Sequence, residues 1–203
     1  MLIVPNAVQV PGNMNGGTGD TSPGSTAAAT GSGAVTYPGQ VGATIILTEA
    51  MANQLSAASG GFATLHQGLY QYVKFLSTST NVNAGGNVAF WNDRATHVVT
   101  PDATGNLRQV AGIILEAETK GNYGWIQVAG RATVTPKSSL TAATPAAGDL
   151  CIVDQSASTV ATADCVQGTV TGLIEGSVLG TWITAPAAGT PATVDLWAMR
   201  QQP

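Results

Sequence analysis

The sequence predicts a mainly β protein made of small antiparallel β barrel or sandwich units, with one short helix and an extended N-terminal arm. Residues 86–134 are short runs of β-branched and aromatic residues separated by turn-forming residues. A weaker version of this pattern returns about sixty residues later, over residues 148–194, which predicts a duplicated unit. Charged residues are only 9% of the chain, against roughly 25% in an ordinary soluble domain.

Composition limits the functions that the chain can have. Its 203 residues suffice for one large β domain or two small ones with a buried core. Seven Lys and Arg residues and a net charge of −4 argue against a nucleic-acid partner, because phosphate binding needs clustered positive charge. A neutral surface rich in Gly, Thr and Ser has little charge to keep copies apart. We therefore expect a surface that sits against other protein.

We expect neither a secretory signal nor a membrane partner. The opening MLIVPNAVQVPGNM has no Lys or Arg before its apolar residues, and Pro5 and Pro11 interrupt it, so it makes a poor signal peptide. No apolar run approaches the ~20 residues that a membrane helix needs.

The first predicted segment, residues 1–43, is an extended arm. It is dense in Gly, Ser, Thr, Ala and Pro without a hydrophobic period, so it cannot bury enough apolar area to fold alone. A disordered tail and a linker are the alternatives, but a purely solvating tail needs no large apolar residues. The arm carries six candidate anchors, which we predict to contact a partner protein: Leu2, Ile3, Val4, Val8, Val10 and Tyr37.

The second segment, residues 44–84, is predicted to hold a short helix and a strand. The helix is expected near residues 47–59, with Thr48 as its cap and Leu47 packed on its first turn. Leu47, Met51 and Leu55 are four residues apart and so share one face. The run LYQYVKFLS, residues 69–77, is rich in aromatic and β-branched residues and predicts a strand.

The last two segments are the β units, residues 85–136 and 137–203. In the first, apolar runs between turns predict strands near residues 87–91, 97–100, 109–115 and 124–134, with Asn92-Asp93 and residues 102–106 supplying turn chemistry. The second unit aligns with the first in pieces. The matched blocks are residues 86–90 with 148–152; Val98, Thr100 and Asp102 with Val160, Thr162 and Asp164; Val110, Gly112 and Ile114 with Val170, Gly172 and Ile174; Trp125-Ile126 with Trp182-Ile183; and residues 132–134 with 192–194.

The residues that could carry chemistry do not combine into a site. His66 and His97 lie far apart in the sequence, and neither has the spacing to other ligands that a metal site needs. The sequence also has no GxSxG motif, which carries the nucleophile in one class of catalytic triad. We therefore interpret both histidines as surface or strand-edge residues. Glu116 and Glu118 are two apart in EAETKGN, where a solvated loop is a simpler interpretation than a glycosidase pair. We predict no enzyme activity, no cofactor and no metal. The remaining aspartates considered lie in turn contexts: Asp20, Asp93, Asp102, Asp149, Asp154 and Asp164.

Tryptophan and cysteine residues are predicted to be structural. Four tryptophans lie in apolar strand patterns, so we interpret them as core or subunit-interface residues rather than as a carbohydrate platform. The two cysteines, Cys151 and Cys165, are expected to be reduced, small core residues. A cross-strand disulfide is the alternative, since both fall within one candidate hairpin. The tryptophans are Trp91, Trp125, Trp182 and Trp197.

The phrases GNVAFWND, VTPDATGN, VAGIILEA and YGWIQVAGRATV resemble the head decoration (cement) proteins of tailed bacteriophages and related virion structural proteins. The common features are an opening GG-x-V turn and strand, a strand that ends in AGI before EA, and a long closing strand. The resemblance is best over residues 85–134 and weaker over the second unit. It does not extend to the arm or the helix.

The resemblance implies a small β barrel or sandwich that binds the outer surface of a completed head and braces it against internal pressure. It implies no catalytic residues, and an extended N-terminal segment that reaches over neighbouring subunits is common in such proteins. The expected partners are the major capsid protein and further copies of this chain, as a trimer, in a virion assembled in the host cytoplasm. A tail-fibre or receptor-binding β module is the alternative, although we would expect longer fibrous repeats in one.

Overall fold

The computed structural model of the protein describes residues 41–58, 65–79, 85–103, 109–115, 120–154, 162–167 and 177–197. Over these residues the chain is mainly β, as predicted. Its elements are β1 Thr44–Leu47, α1 Glu49–Ala58, β2 Gly68–Phe75, β3 Val88–Asp93, β4 Val98–Thr100, β5 Val110–Ile114, β6 Tyr123–Val134, β7 Leu150–Val153, β8 Ala163–Val166, β9 Val178–Trp182 and β10 Ala192–Leu196. The predicted anchors Leu2, Ile3, Val4, Val8, Val10 and Tyr37 lie outside the described residues.

Five strands close into a barrel, which we call barrel 1. They follow the order β2, β4, β3, β5, β6, and β6 pairs with β2 to complete the circuit. Only β2 and β4 run parallel in this circuit; the other neighbours are antiparallel. Closure pairs each strand on both sides, which removes the exposed edges that an open sheet would present. The buried cluster within this barrel includes Val73, Phe75, Trp91, Val99 and Ile126.

All five strands of barrel 1 were predicted from the sequence, and their bounds are confirmed to within about two residues. Strand β1, with the sequence TIIL, was not predicted. The helix was predicted to begin at residue 47, but Leu47 ends β1, where it pairs with Gly68. Thr48 caps α1 as predicted, since the Met51 N–H donates to its Oγ1 at 3.3 Å.

Strand β6 is shared between two parts of the sheet. Its first half pairs with β2, and its second half, from Gly130 onward, pairs with β10. Gly130 has a φ of 91°, and a Cβ there would lie 2.6 Å from the carbonyl oxygen of Gln67. Only glycine combines that dihedral with so close an approach, so Gly130 allows one strand to serve both circuits.

A second circuit runs through β10, β9, β7 and β8, and the continuation of β6 completes it. Pro136 forms a parallel bridge with Ala163 at the start of β8. The Ala163 N–H donates to Thr135 O at 3.0 Å, and the Lys137 N–H donates to Ala163 O at 2.8 Å. We call this circuit barrel 2. The core residues of barrel 2 form one buried cluster with the residues of β3 and β5 that point outward from barrel 1. The two barrels therefore share packing as well as a strand.

The register shows that the two barrels repeat one another. In barrel 1, Ala89 lies opposite Gly112, and a register shift separates that pair from the next. In barrel 2, Cys151 lies opposite Gly180, again followed by a register shift. The strand order β4-β3-β5-β6 in one unit is mirrored by β8-β7-β9-β10 in the other. The predicted duplication is therefore visible in the strand pairing. That the two units divide into residues 85–136 and 137–203 stays a prediction.

The sequence alignment of the units was right at its start and wrong further on. Gly86 and Gly148 are equivalent, since each donates its N–H to the carbonyl oxygen of a strand residue: Ile114 O at 2.8 Å in one case and Trp182 O at 2.7 Å in the other. Trp182 therefore occupies the position of Ile114, not that of Trp125. The connections differ in length between the units, so an alignment by composition slips after the first strand.

Among the described residues, the helix packs on the outer side of barrel 1. On the outer side of barrel 1, Tyr70, Tyr72 and Trp125 pack with α1 and β1 in a buried cluster. Tyr72 pairs with Trp125 between β2 and β6, and the corresponding pair between β6 and β10 is Thr133 with Thr193. Two threonines can face water, whereas a tyrosine and a tryptophan lose exposed apolar area by packing under a helix.

Candidate functional site

The two histidines belong to separate structural contacts. His66 Nε2 lies 3.2 Å from Thr133 Oγ1, and burial, followed by the nearby Arg131 guanidinium, lowers the pKa of His66. His97 lies edge-on to Trp91, with ring centroids 6.0 Å apart. Among the described residues, no three His, Cys, Asp or Glu side chains are grouped so that they could hold a metal ion.

His97 secures the start of the described chain against barrel 1. It has a φ of 55°, the one non-glycine residue with positive φ among those described, and its carbonyl oxygen accepts the Lys74 N–H at 3.0 Å. Its ring lies against Gly42, where a Cβ would come within 2.6 Å of the His97 Cε1 atom. The Gly42 N–H also donates to Tyr72 O at 2.8 Å. The strained backbone of His97 thus serves packing at the point where residues 41–43 join the body.

Barrel 2 contains a nearly buried ion cluster. Lys137 Nζ lies 2.7 Å from Asp164 Oδ2 and 3.6 Å from Asp154 Oδ1, and the three side chains are 16%, 6% and 10% exposed. Thr141 donates to Asp164 through its N–H at 2.9 Å and its hydroxyl at 2.5 Å. The Cys165 N–H donates to the same carboxylate at 2.7 Å. One ammonium group and several donors therefore hold two carboxylates at the seam where residue 137 meets β8.

Burial alone would raise the pKa of Asp164, but the Lys137 ammonium and the donors from Thr141 and Cys165 outweigh it and lower that pKa. The carboxylate is thus stabilised as an anion. The geometry places this anion against the Lys137 ammonium, where it ties β8 to the chain that follows β6.

The aspartates divide into turn residues, as predicted, and two that were wrongly placed. Asp93 accepts the Ala95 N–H at 3.0 Å and the Thr96 hydroxyl at 2.6 Å, and Asp149 accepts the Ala146 N–H at 2.8 Å. Asp164, in contrast, lies within β8, and Asp154 follows β7; both are buried. Lys137 is their common partner. The residues next to Asp164 in the sequence do not indicate this contact, because Lys137 lies 27 positions away. Glu116, Glu118 and Asp20 lie outside the described residues.

A shallow cleft of about 270 Å³ lies where the two barrels meet. Its lining combines backbone with neutral side chains, and none of the residues around it is charged. Its lining includes the hydroxyls of Thr133 and Thr135, and Thr133 Oγ1 lies 3.2 Å from His66 Nε2. The lining residues are Gly85, Gly86, Ile114, Leu115, Gln127, Thr133, Thr135 and Pro191.

Three of the four tryptophans are buried, as predicted: Trp91, Trp125 and Trp182. Trp197 is not in the core, because its side chain is 50% exposed just after β10, and a subunit interface stays the prediction for it. The backbone N–H of Trp197 donates to Leu179 O at 3.0 Å, which fixes the backbone while the indole faces solvent. Two further large apolar residues are exposed, Ile46 at 73% and Ile183 at 38%. These residues are candidates for contact with another protein.

No family model matches the chain, and no curated protein matches it. Among solved structures, the chain is similar to the N base of head fiber gp8.5 of bacteriophage phi29. The identity is 13%, the TM-score is 0.42, and the match covers 64% of this chain and 93% of that chain. We draw no functional conclusion from a likeness of this degree. In the described part of the chain, no helix has the length and apolar character needed to cross a membrane.

Proposed function

We propose that this chain is a structural protein of a tailed-phage virion that binds the outer surface of the head and stabilises it. The observation that carries the proposal is the role of the glycines in the phrases that resemble decoration proteins. Gly86 turns into β3 at a φ of 80°, and a Cβ on Gly112 would lie 2.5 Å from Gln127 O. These phrases therefore specify the frame of a closed barrel.

A closed circuit of strands suits a protein that must bear load. Removing any strand from barrel 1 requires breaking pairing on both of its sides, so deformation is shared around the ring. The Lys137–Asp164 contact adds a nearly buried ion pair at the seam of barrel 2. Such a body can transmit force between the groups that bind it without opening at an edge.

The partners in this proposal are the major capsid protein and other copies of the chain, as a trimer. A neutral surface with few charges favours contact through shape and apolar area, and Trp197, Ile46 and Ile183 offer such area on the described body. The arm residues Leu2, Ile3, Val4, Val8, Val10 and Tyr37 are proposed as further contacts. In this proposal the protein lies on the capsid surface of the virion and has no catalytic role.

Electron microscopy of purified virions tests the proposal. We expect density for the protein over the head shell, with copies that follow the capsid lattice, and loss of that density from particles made without the protein. Density at the tail tip would overturn the head-binding proposal in favour of a tail-fibre or receptor-binding module. Binding of the purified protein to empty heads, measured by co-sedimentation with a tail fraction as the matched control, makes the same distinction.

A further inference from the structure

Cys151 and Cys165 face each other across the hairpin formed by β7 and β8. They are direct Cα partners in the antiparallel ladder. The Asp154 N–H donates to Thr162 O at 2.9 Å, and the two kinds of pair alternate along such a ladder, so Cys151 and Cys165 form a non-hydrogen-bonded pair. In pairs of that kind the Cβ atoms approach to about 4.5 Å, a separation that a disulfide can span.

Both thiols lie in the interior of barrel 2 and are free in the structure. Each side chain is fully buried, and the two belong to the same core cluster as Ala163 and Leu179. The Cys165 Sγ lies 3.5 Å from Asp149 Oδ2. Barrel 1 carries Ala89 at the position equivalent to Cys151, which shows that the fold itself does not require a thiol there.

We propose that Cys151 and Cys165 are a latent disulfide, reduced while the protein is made and closed once it meets an oxidising environment. The bond would tie β8 to β7. Strand β8 is otherwise held on its far side by a short contact with residues 135–142, through the bridge at Pro136 and the Ala142 N–H, which donates to Cys165 O at 3.0 Å. A covalent link at this hairpin would fix β8 on β7 and so support the strand against which residues 135–142, including Lys137 in its ion pair with Asp164, close barrel 2. This inference stands independently of head binding.

The oxidant in this proposal is a low-molecular-weight disulfide. The thiolate of one cysteine attacks it, forms a mixed disulfide and releases one small thiol; the thiolate of the second cysteine then displaces the other small thiol and forms the Cys151–Cys165 bond. The two protons lost by the cysteines end on the two released thiols, and two electrons pass from the protein to the oxidant.

Burial of the two thiols governs the rate of this thiol–disulfide exchange. It raises the pKa of Cys151, and it raises the pKa of Cys165 to about 12, with the Asp149 carboxylate adding to the effect. The thiolate is the reactive form, so the exchange should be slow near neutral pH and faster as pH rises. The β7–β8 hairpin must also open to admit the oxidant. Urea below the unfolding transition should therefore raise the rate of the exchange.

Equilibration of the full-length protein in glutathione buffers tests the inference. Protein prepared under reducing conditions would be incubated at several ratios of oxidised to reduced glutathione, in buffer and in urea below the unfolding transition. Acid quenching, alkylation and intact-mass measurement would then count free thiols, and a peptide map without reduction would identify the bond. We expect two alkylated thiols at the start and an internal Cys151–Cys165 disulfide at the oxidising end.

The bond should raise the thermal midpoint by roughly 5–10 °C, as expected for a loop of this length in a chain of this size. Cys151→Ala is the matched control, since alanine stands at the equivalent position of barrel 1; it should show no rise under the same buffers. Two alkylated thiols, or only mixed disulfides, at the most oxidising ratio both with and without urea would overturn the inference.

Discussion

Lys137 Nζ lies 2.7 Å from Asp164 Oδ2, and this contact joins the chain that leaves β6 to strand β8 of barrel 2. The two residues belong to the seam at which the second circuit closes, beside the hydrogen bond from the Lys137 N–H to Ala163 O at 2.8 Å. A nearly buried charge pair is costly to form but far more costly to break, because removal of one partner leaves the other charge uncompensated. Substitution of either residue of this pair should therefore destabilise the protein strongly.

Asp164→Asn should destabilise the protein by about 3 kcal/mol, because it removes the anion that pairs with Lys137 and weakens the contacts from Thr141. Urea unfolding followed by tryptophan fluorescence measures the change. Asp93→Asn is the control, since Asp93 accepts similar hydrogen bonds in an exposed turn, and we expect its unfolding curve to overlay the wild type. Equal midpoints for Asp164→Asn and wild type would show that the seam contributes nothing.

The same carboxylate should make stability fall in acid. Its pKa is lowered in the folded state, so the unfolded chain binds more protons and stability rises with pH across that window. The contribution is present above the unfolded pKa of about 4 and is lost as pH falls toward the lower folded value. Unfolding midpoints measured from pH 6 to about pH 2.5 should decline less steeply in Asp164→Asn than in wild type. Parallel curves for the two proteins would contradict the assignment.

His66 should add a second, milder pH dependence at a higher pH. Burial lowers its pKa in the folded protein, so the unfolded state takes up its proton first. Stability from this residue is complete above the unfolded pKa of about 6.5 and is lost as pH falls through the folded value. His66→Gln, which can keep a polar contact with Thr133, should remove the change in midpoint between about pH 7 and pH 5. A wild-type midpoint that stays flat over that interval would argue against this role.

The glycine at the switch of β6 should be intolerant of any side chain. Gly130→Ala places a Cβ against backbone atoms of Gln67 and Gly68 at 2.6 and 2.7 Å, so we expect a loss of about 3 kcal/mol or more. Gly148→Ala is a matched control because its φ is the same, 91°, but no atom lies within 4 Å of the added carbon. It should cost only about 1 kcal/mol. Equal unfolding midpoints for the two variants would mean that the close approach at Gly130 relaxes freely.

Deletion of residues 1–40 removes the proposed arm and tests whether the arm binds the head. Residues 41–43 are kept because Gly42 packs under His97 and donates its N–H to Tyr72 O. We expect circular dichroism in the β region and the unfolding midpoint to change little, while co-sedimentation with empty heads drops sharply. Substitution of the six anchors by serine in the full-length chain is the control for length alone. Undiminished head binding by the truncated protein would move the interface to the body, with Trp197 as its first candidate.

The protein should form a homo-oligomer, with three copies as the expected number. Few charges and an exposed Trp197 leave apolar area that closed symmetry can bury. Sedimentation velocity over a concentration series measures the state, and Trp197→Ser should shift it toward monomer without lowering the unfolding midpoint of the monomer. A wild-type protein that stays monomeric at the highest concentrations would contradict this prediction.

Local pattern was sufficient for the strands of barrel 1 and for the helix cap. Residues such as Val73 and Phe75 alternate with polar or outward neighbours, and Thr48 needs only its own first turn to act as a cap. These signals operate over a few residues, so no knowledge of distant partners is needed to read them. The site contacts are different, because nothing near Lys137 in the sequence indicates Asp164, and nothing near Trp197 distinguishes it from the three buried tryptophans.

The sequence by itself determined the mainly β class, the turn chemistry of Asp93 and the burial of three tryptophans, because hydrophobic period and turn propensity act within single elements. Only the tertiary structure decided that β6 belongs to two circuits, that Trp182 replaces Ile114 in the repeat, and that Cys151 faces Cys165. Each of these depends on register between strands. Register is set by turn lengths, register shifts and the packing of a whole circuit at once, and the shared strand became possible where Gly130 allowed the backbone of β6 to pass close to β2 and continue toward β10.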